Sequence, residues 1–197
     1  MATRTTTKLL DALHDHANEP AWTQIDSRYR PVIAGLARRL GLDSVDADEV
    51  AQQSLAEFVR AYREGRYDRS KGRLSSWILG IAHHTALKML RNGRRRGIGG
   101  STALTEVPDE PALRSIWQDE RDRAILARAM GLLRDEDAVD DRTLLAFELT
   151  ALRCVPAPEA ARQCAMSVDQ VYVARSRVTK RLRSMIEALT AAFEEDT

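Results

Sequence analysis

Cysteine, glycine, proline and aromatic residues are all scarce in this 197-residue chain: two Cys, ten Gly, six Pro, and aromatics at 5%. Each shortage excludes something. Two cysteines build no disulfide framework, and with no second pair they give no zinc site. Cys154 and Cys164 are therefore expected as small buried apolar groups. So little Gly and Pro argues against a turn-rich all-β protein. No apolar run reaches the roughly 18 residues of a membrane span, so no membrane partner is expected. Met1 to Lys8 is Thr-rich and polar, without the apolar centre of a signal peptide, and a cytoplasmic location is the expectation. No Gly-rich phosphate loop is present, and neither a cofactor nor a metal is expected.

Charge is abundant and segregated. Charged residues make up 30% of the chain, yet the formal net charge is +1. Between Arg60 and Arg96 stand eleven Lys/Arg against two acids, Glu64 and Asp68, a local net of +9. Between Ser167 and Arg183 five Lys/Arg face Asp169 alone, a local net of +4. The balancing acids lie in Glu106 to Asp122, Asp135 to Asp141 and the tail Glu194, Glu195, Asp196. Two basic stretches with acidic connectors suit a protein that touches polyanions at two places. Solvated helix faces are the plainer alternative for either stretch alone.

The periodicity is helical nearly throughout. Ile25, Tyr29, Val32, Ile33, Leu36 and Leu40 define one helix, with Gly41 as its stop. A second begins at Asp46, with Glu49 in a capping-box variant. Its core face is Val50, Ser54, Leu55, Phe58 and Tyr62, and its other face carries Glu49, Gln52, Gln53, Glu57 and Arg60. Glu64 to Arg73 reads as a basic loop. A third helix runs from about Leu74 to Arg91, with Trp77, Ile78, Ile81, Thr85 and Leu90 inward. The Gly, Ser, Thr, Pro and acidic residues that follow read as a flexible linker. Beyond it, helices are expected over Asp119–Leu133 and Asp140–Arg153, then a short one over Glu159–Cys164. Ala165-Met166 is a turn, and Ser167 with Gln170 forms a capping box that opens the last helix, which runs to about Phe193.

Short helix, tight turn, long basic helix is a helix-turn-helix pattern. Val168, Val171, Tyr172, Val178 and Leu182 are expected to pack. Ser167, Asp169, Gln170, Val173, Arg175, Ser176 and Arg177 form the reading side. Arg175 or Arg177 suits guanine and Gln170 suits adenine, while Lys180, Arg181 and Arg183 suit phosphates. Ala165 occupies the turn position where Gly is usual; a positive φ there costs on the order of 1 kcal/mol.

The segment from Ala157 to Arg183 resembles region four of bacterial RNA polymerase sigma factors of the extracytoplasmic-function type. Asp46 to Leu55 (DADEVAQQSL) resembles their region-two core-binding helix, and Tyr67 to Ala82 (YDRSKGRLSSWILGIA) their promoter-melting segment. The likeness covers about residues 22–187. It implies an all-α protein of two small helical domains joined by a flexible linker, the C-terminal one holding the helix-turn-helix. Residues 1–21 would be an extension, 22–97 a region-two domain, 98–118 an acidic linker, 119–187 a region-four domain and 188–197 an acidic tail. The implied partners are core RNA polymerase, through its largest-subunit clamp helices and its flap, promoter DNA, and an anti-sigma factor. Glu49, Gln52, Gln53 and Glu57 would dock on the polymerase. Tyr67, Arg69, Ser70, Lys71, Arg73, Trp77, Lys88, Arg91, Arg94 and Arg95 would meet the minus-ten element. Ser167, Asp169, Gln170, Val173, Arg175, Ser176, Arg177, Lys180 and Arg181 would read the minus-thirty-five element. Three departures stand out: His83-His84 where Arg-Asn is usual, Lys88 where an acid is common, and Gln53 where Glu is usual.

Other readings compete at single residues. Tyr67 reads equally as a packing residue, and Trp77 reads better as core than as a base contact. As a whole, the chain also reads as a helix-turn-helix regulator acting without the polymerase. His14-Asp15-His16 resembles part of a metal-dependent phosphohydrolase site, but the downstream partners of such a site are missing.

Overall fold

The computed structural model describes residues 12, 13, 15, 18–95, 108–135 and 139–194, the side chains of Arg69, Arg94, Arg95 and Glu194 excepted. Among them there is no strand. The helices are α1 (Glu19–Arg39), α2 (Ser44–Arg63), α3 (Leu74–Arg95), α4 (Glu110–Arg134), α5 (Asp141–Phe147), α6 (Ala157–Cys164) and α7 (Val168–Glu194). A 3-10 turn, Arg69–Lys71, precedes α3, and a π-helical turn, Glu148–Leu152, extends α5. The expected all-α class holds. No described helix is long and apolar enough to cross a membrane.

Short polar caps set the helix starts. Asn18 opens α1, its side chain accepting from the Ala21 amide at 3.2 Å. Asp43 opens α2 by accepting from the Asp46 amide at 2.8 Å. The second helix thus begins before the expected Asp46, because the carboxylate one turn upstream satisfies its first orphan amides. Three helices end in the same way. Leu42 N–H reaches Ala37 O after α1, Arg66 N–H reaches Ala61 O after α2, and Met166 N–H reaches Ala161 O after α6. This six-to-one closure needs one left-handed residue. Gly41 (φ 100°), Gly65 (φ 71°) and Ala165 (φ 50°) fill that place. The expected strain at Ala165 is real.

The chain forms two compact units. Unit 1 takes the chain to Ala124 and regains it from Ala192; unit 2 is Ile125–Ala191. Unit 1 is built on Ile25, Tyr29, Ile33 and Leu36 of α1, Val50, Leu55 and Phe58 of α2, and Leu74, Ile78, Ala82 and Ala86 of α3. Each large apolar side chain buried here contributes about 1.5–3 kcal/mol. Leu113 and Trp117 of α4 join the same core, and Trp117 stacks near Tyr29 at 6.5 Å. Phe193 meets Tyr29 edge-on at 5.5 Å, and Arg28 Nη1 donates to Ala192 O at 2.9 Å.

Three expectations need correction. Residues 110–118, expected as linker, are helical, because Leu113 and Trp117 bury an apolar stripe; 98–107 lie outside the described residues. The last helix, expected to about Phe193, ends at Glu194. On α3 the buried face is Leu74, Ile78, Leu79, Ala82 and Ala86, whereas Trp77, Ile81, Thr85 and Leu90 are only half-buried. Cys154 is exposed, in a left-handed turn (φ 54°), while Cys164 is buried as expected.

Unit 2 has two small cores. One joins Ala146, Leu149, Ala160, Ala161, Cys164, Val171 and Ala174; the other joins Ala129, Met130, Leu133, Phe147, Val178 and Leu182. The first of these sets α6 against α7.

Candidate nucleic-acid interface

In unit 1 the functional candidates surround α2, the loop after it, and α3. Glu49, Gln52 and Gln53 are exposed on one ridge of α2, and Gln53 Nε2 donates to Glu49 Oε1 at 2.7 Å. Glu57 departs from that ridge. It is half-buried, pairs with Arg60, and lies 3.7 Å from Arg66. Its carboxylate is occupied by the basic loop.

That loop is organised by one carboxylate. Asp68 Oδ1 accepts from the Ser70 hydroxyl at 2.7 Å and the Ser70 amide at 2.9 Å, and Lys71 Nζ lies 3.5 Å from Oδ2. The Ser70 hydroxyl bond, then the Ser70 amide, hold the Asp68 carboxyl below its ordinary value. Gly72 (φ 157°) turns the chain into α3, and Tyr67 Oη donates to its carbonyl at 3.3 Å. Tyr67 packs against two rings, with Trp77 stacked at 5.2 Å and Tyr62 at 6.1 Å; Phe58 meets Trp77 edge-on at 5.7 Å. The packing role weighed for Tyr67 and Trp77 is therefore what this structure displays. Ser70, Lys71, Arg73, Lys88 and Arg91 are exposed. The side chains of Arg69, Arg94 and Arg95 lie outside the described part.

A groove of about 610 Å³ runs between α2 and α3, lined by Gln53, Glu57, Trp77, Ile81, His84 and Lys88 among others. It brings together two sets that the sequence reading kept apart, Gln53 and Glu57 on one side, Trp77 and Lys88 on the other. His84 belongs to it, one of the two histidines that stand where Arg-Asn is usual, though it was in none of the expected site sets. His83 is half-buried with Nε2 unpartnered, and burial, then His84, lowers its pKa from the ordinary value.

In unit 2 the capping box stands as expected. Gln170 N–H donates to Ser167 Oγ at 3.1 Å, and Ser167 N–H donates to Gln170 Oε1 at 2.8 Å. The turn before it is held from α5: Arg142 Nε donates to Cys164 O at 3.1 Å, and its Nη2 donates to Ala165 O. Burial pushes the Cys164 thiol up, with Arg142 opposing.

The buried stripe of α7 is Val171, Ala174, Val178 and Leu182. Val168 and Tyr172, expected to pack, are instead 36% and 55% exposed. At 3.6 residues per turn they fall outside that narrow buried stripe. Ser167, Asp169, Gln170, Val173, Arg175, Ser176, Arg177, Lys180 and Arg181 are all exposed. The same period separates them. Asp169, Val173, Ser176 and Lys180 lie opposite the stripe, Tyr172 and Arg177 flank that outward line, and Arg175 sits beside Val171 and Val178. The outward side thus offers apolar contact surface, hydroxyl and cation together, as groove readout requires. Tyr172 was missed because its spacing fits either face.

Comparison with known proteins adds an independent finding. Residues 25–96 match the sigma-70 region 2 family. The chain is 26% identical over 126 residues to the ECF RNA polymerase sigma factor RpoE of Cereibacter sphaeroides, covering 64% of this chain and 67% of that protein. It is 30% identical over 137 residues to the ECF RNA polymerase sigma factor SigE of Mycolicibacterium smegmatis, covering 67% of this chain and 51% of that protein. The match thus spans about half the length of the second relative.

Proposed function

We propose that the chain is an RNA polymerase sigma factor of the extracytoplasmic-function type, as its region 2 match and its two relatives suggest, and that its two units share the work of directing RNA polymerase to promoters. It acts as a specificity subunit without catalytic chemistry, in the cytoplasm beside core polymerase. The ridge Glu49, Gln52, Gln53 docks on the clamp helices of the largest subunit, where amides bond at lower desolvation cost than charges. The loop Tyr67 to Arg73, with Lys88 and Arg91, follows the opened minus-ten strand by a basic track beside aromatic rings. The outward side of α7 reads the minus-thirty-five element, and unit 2 rests on the flap. Melting draws on binding energy alone. The reading includes an anti-sigma factor that keeps the chain from the polymerase until it is needed.

One observation carries the two-site reading. The basic helix α7 starts at a complete capping box, directly after a left-handed turn, and presents Val173, Ser176 and Lys180 opposite its buried stripe. Run-off transcription with purified core polymerase tests the whole. Promoter-dependent transcripts are expected only when the chain is present. Tight binding to a palindromic operator without polymerase, and no transcripts with it, would establish the regulator reading instead.

A further inference from the structure

We infer that a small cationic pocket of unit 1, walled by Arg73, Arg114 and Arg121, holds a backbone phosphate of the promoter strand. The inference rests on the proposed path of that strand along the loop Tyr67 to Arg73, and adds α4 to it. Neither Arg114 nor Arg121 belongs to any of the sequence motifs.

The cavity measures about 200 Å³ and is lined by Arg73, Ser75 and Ser76 at the start of α3, by Arg114, Gln118 and Arg121 of α4, and by Leu79, Trp117 and Phe193. Three arginines line it and no acidic residue does. Arg114 pairs with Glu110 at 2.5 Å, and Arg121 with Asp122 at 3.0 Å. Those two carboxylates stand out in solvent, 74% and 66% exposed, and each engages only part of a five-donor fork. Arg121 is only 26% exposed, so its cation is held in the wall. Arg73 forms no ion pair among the described residues. Arg73 thus adds an uncompensated cation beside two whose carboxylates face solvent, which favours an incoming anion.

The pocket is chemically suited to that anion. The first amides of α3 have no intrahelical carbonyl to bond, and the helix start carries partial positive charge. Two serine hydroxyls and the Gln118 amide add neutral donors. The apolar wall of Leu79, Trp117 and Phe193 strengthens charge-assisted bonds by excluding water. A volume below the roughly 300–1,000 Å³ of sites for drug-sized molecules suits a phosphate group more than a whole nucleotide. Arg73 closes the basic loop and opens α3, so a strand following the loop reaches the mouth of the pocket.

The test uses the full chain on core polymerase and a labelled single-stranded oligonucleotide of the minus-ten non-template sequence. Affinity is followed against salt for the wild type, for Arg114→Gln/Arg121→Gln, and for Arg114→Lys/Arg121→Lys. A single-strand contact contributes about 0.7 to the logarithmic salt slope. The glutamine pair is expected to bind several-fold more weakly with a slope shallower by about that amount, and the lysine pair to retain most of the slope. A neutral methylphosphonate at one position should weaken the wild type equally and the glutamine pair not at all. A wild-type slope in the glutamine pair overturns the pocket while leaving the strand path intact. No oligonucleotide binding by the wild-type complex overturns both. Competition by inorganic phosphate that the glutamine pair abolishes, with the oligonucleotide slope unchanged, would assign the pocket to a free phosphate and overturn the DNA contact.

Discussion

The carboxylate of Glu120 lies against the α-carbon of Gly35. A β-carbon at Gly35 would stand 2.9 Å from Glu120 Cδ, closer than real β-carbons come. Glu120 is only 8% exposed, and Arg123 Nη1 bonds its Oε1 at 2.5 Å. Glycine inside α1 costs roughly 1 kcal/mol of helix propensity, and the close approach of α4 is what that glycine permits. Gly35→Ala should therefore lower stability by about 1–3 kcal/mol, as overpacking does. Gly35→Ala/Glu120→Ala should regain most of the loss. Urea melts of the three proteins decide it; a Gly35→Ala protein more stable than the wild type by the full propensity gain of about 1 kcal/mol refutes the contact.

Ala165 adopts φ 50° and ψ 48° in the turn between α6 and α7. Left-handed backbone costs a residue with a β-carbon about 1–2 kcal/mol, and glycine, freed of that cost, gives part of it back in chain entropy. Ala165→Gly should raise the denaturation midpoint by the equivalent of about 1 kcal/mol, and Ala165→Val should lower it. Equal midpoints for all three would contradict the turn geometry.

Arg142 fastens the same turn from α5 by donating to two carbonyls. Arg142→Ala leaves those carbonyls to water, at a cost of about 1 kcal/mol for bonds this near the surface. Binding to minus-thirty-five DNA should weaken more than binding to core polymerase, because the turn orients α7. Measured affinities for duplex and for polymerase separate the two effects, and equal losses would count against that role.

On α7 the outward line predicts an order among substitutions. Ser176→Ala with Lys180→Ala, or Val173→Glu alone, should reduce selection of the minus-thirty-five element. The scale is about 1–3 kcal/mol for each base-edge interaction removed, and less for a phosphate interaction. Arg177→Ala should cost more than Arg175→Ala, since Arg175 stands beside the buried stripe. Competitive transcription from matched and mutated promoters reads this directly. The reverse order would mean that a different side of the helix enters the groove.

Asp140 caps α5. The Thr143 hydroxyl donates to Oδ2 at 2.8 Å and the Thr143 amide to Oδ1 at 3.0 Å. The hydroxyl bond, then the amide bond, hold its carboxyl below the ordinary value. A carboxyl depressed in the folded state stabilises above its unfolded pKa, about 3.9, and that contribution fades as pH falls through the folded value. Asp140→Asn keeps a capping oxygen and cannot titrate. Its thermal midpoint should fall less steeply than the wild type's below about pH 4; parallel acid limbs would exclude the cap as their source.

The sequence was most legible where a single local rule decides. Ser167 and Gln170 cap each other as their spacing requires, and Ala165 turns left-handed because the closure after α6 admits nothing else. It misled where two rules compete. Trp77, Ile81 and Thr85 recur at helical spacing, yet Ala82 and Ala86 are buried in their place, since small residues let α3 approach its neighbours closely. Helix α4 begins inside a stretch whose Pro, Gly and acids suggest a linker, because Leu113 and Trp117 find an apolar surface that sequence spacing does not reveal. The start of α2 was displaced by one overlooked carboxylate, Asp43. The pocket residues Arg114 and Arg121 belong to no motif, and only the packing of α4 brings them beside Arg73.

The ring of Tyr67 already stacks with two neighbours, Tyr62 and Trp77. On the proposed strand path, a nucleobase stacking on Tyr67 would compete with those rings, so capture there would be an exchange of one π-surface for another. Such an exchange releases little net stacking energy. It leaves the choice between bases to their edges and to the cations nearby.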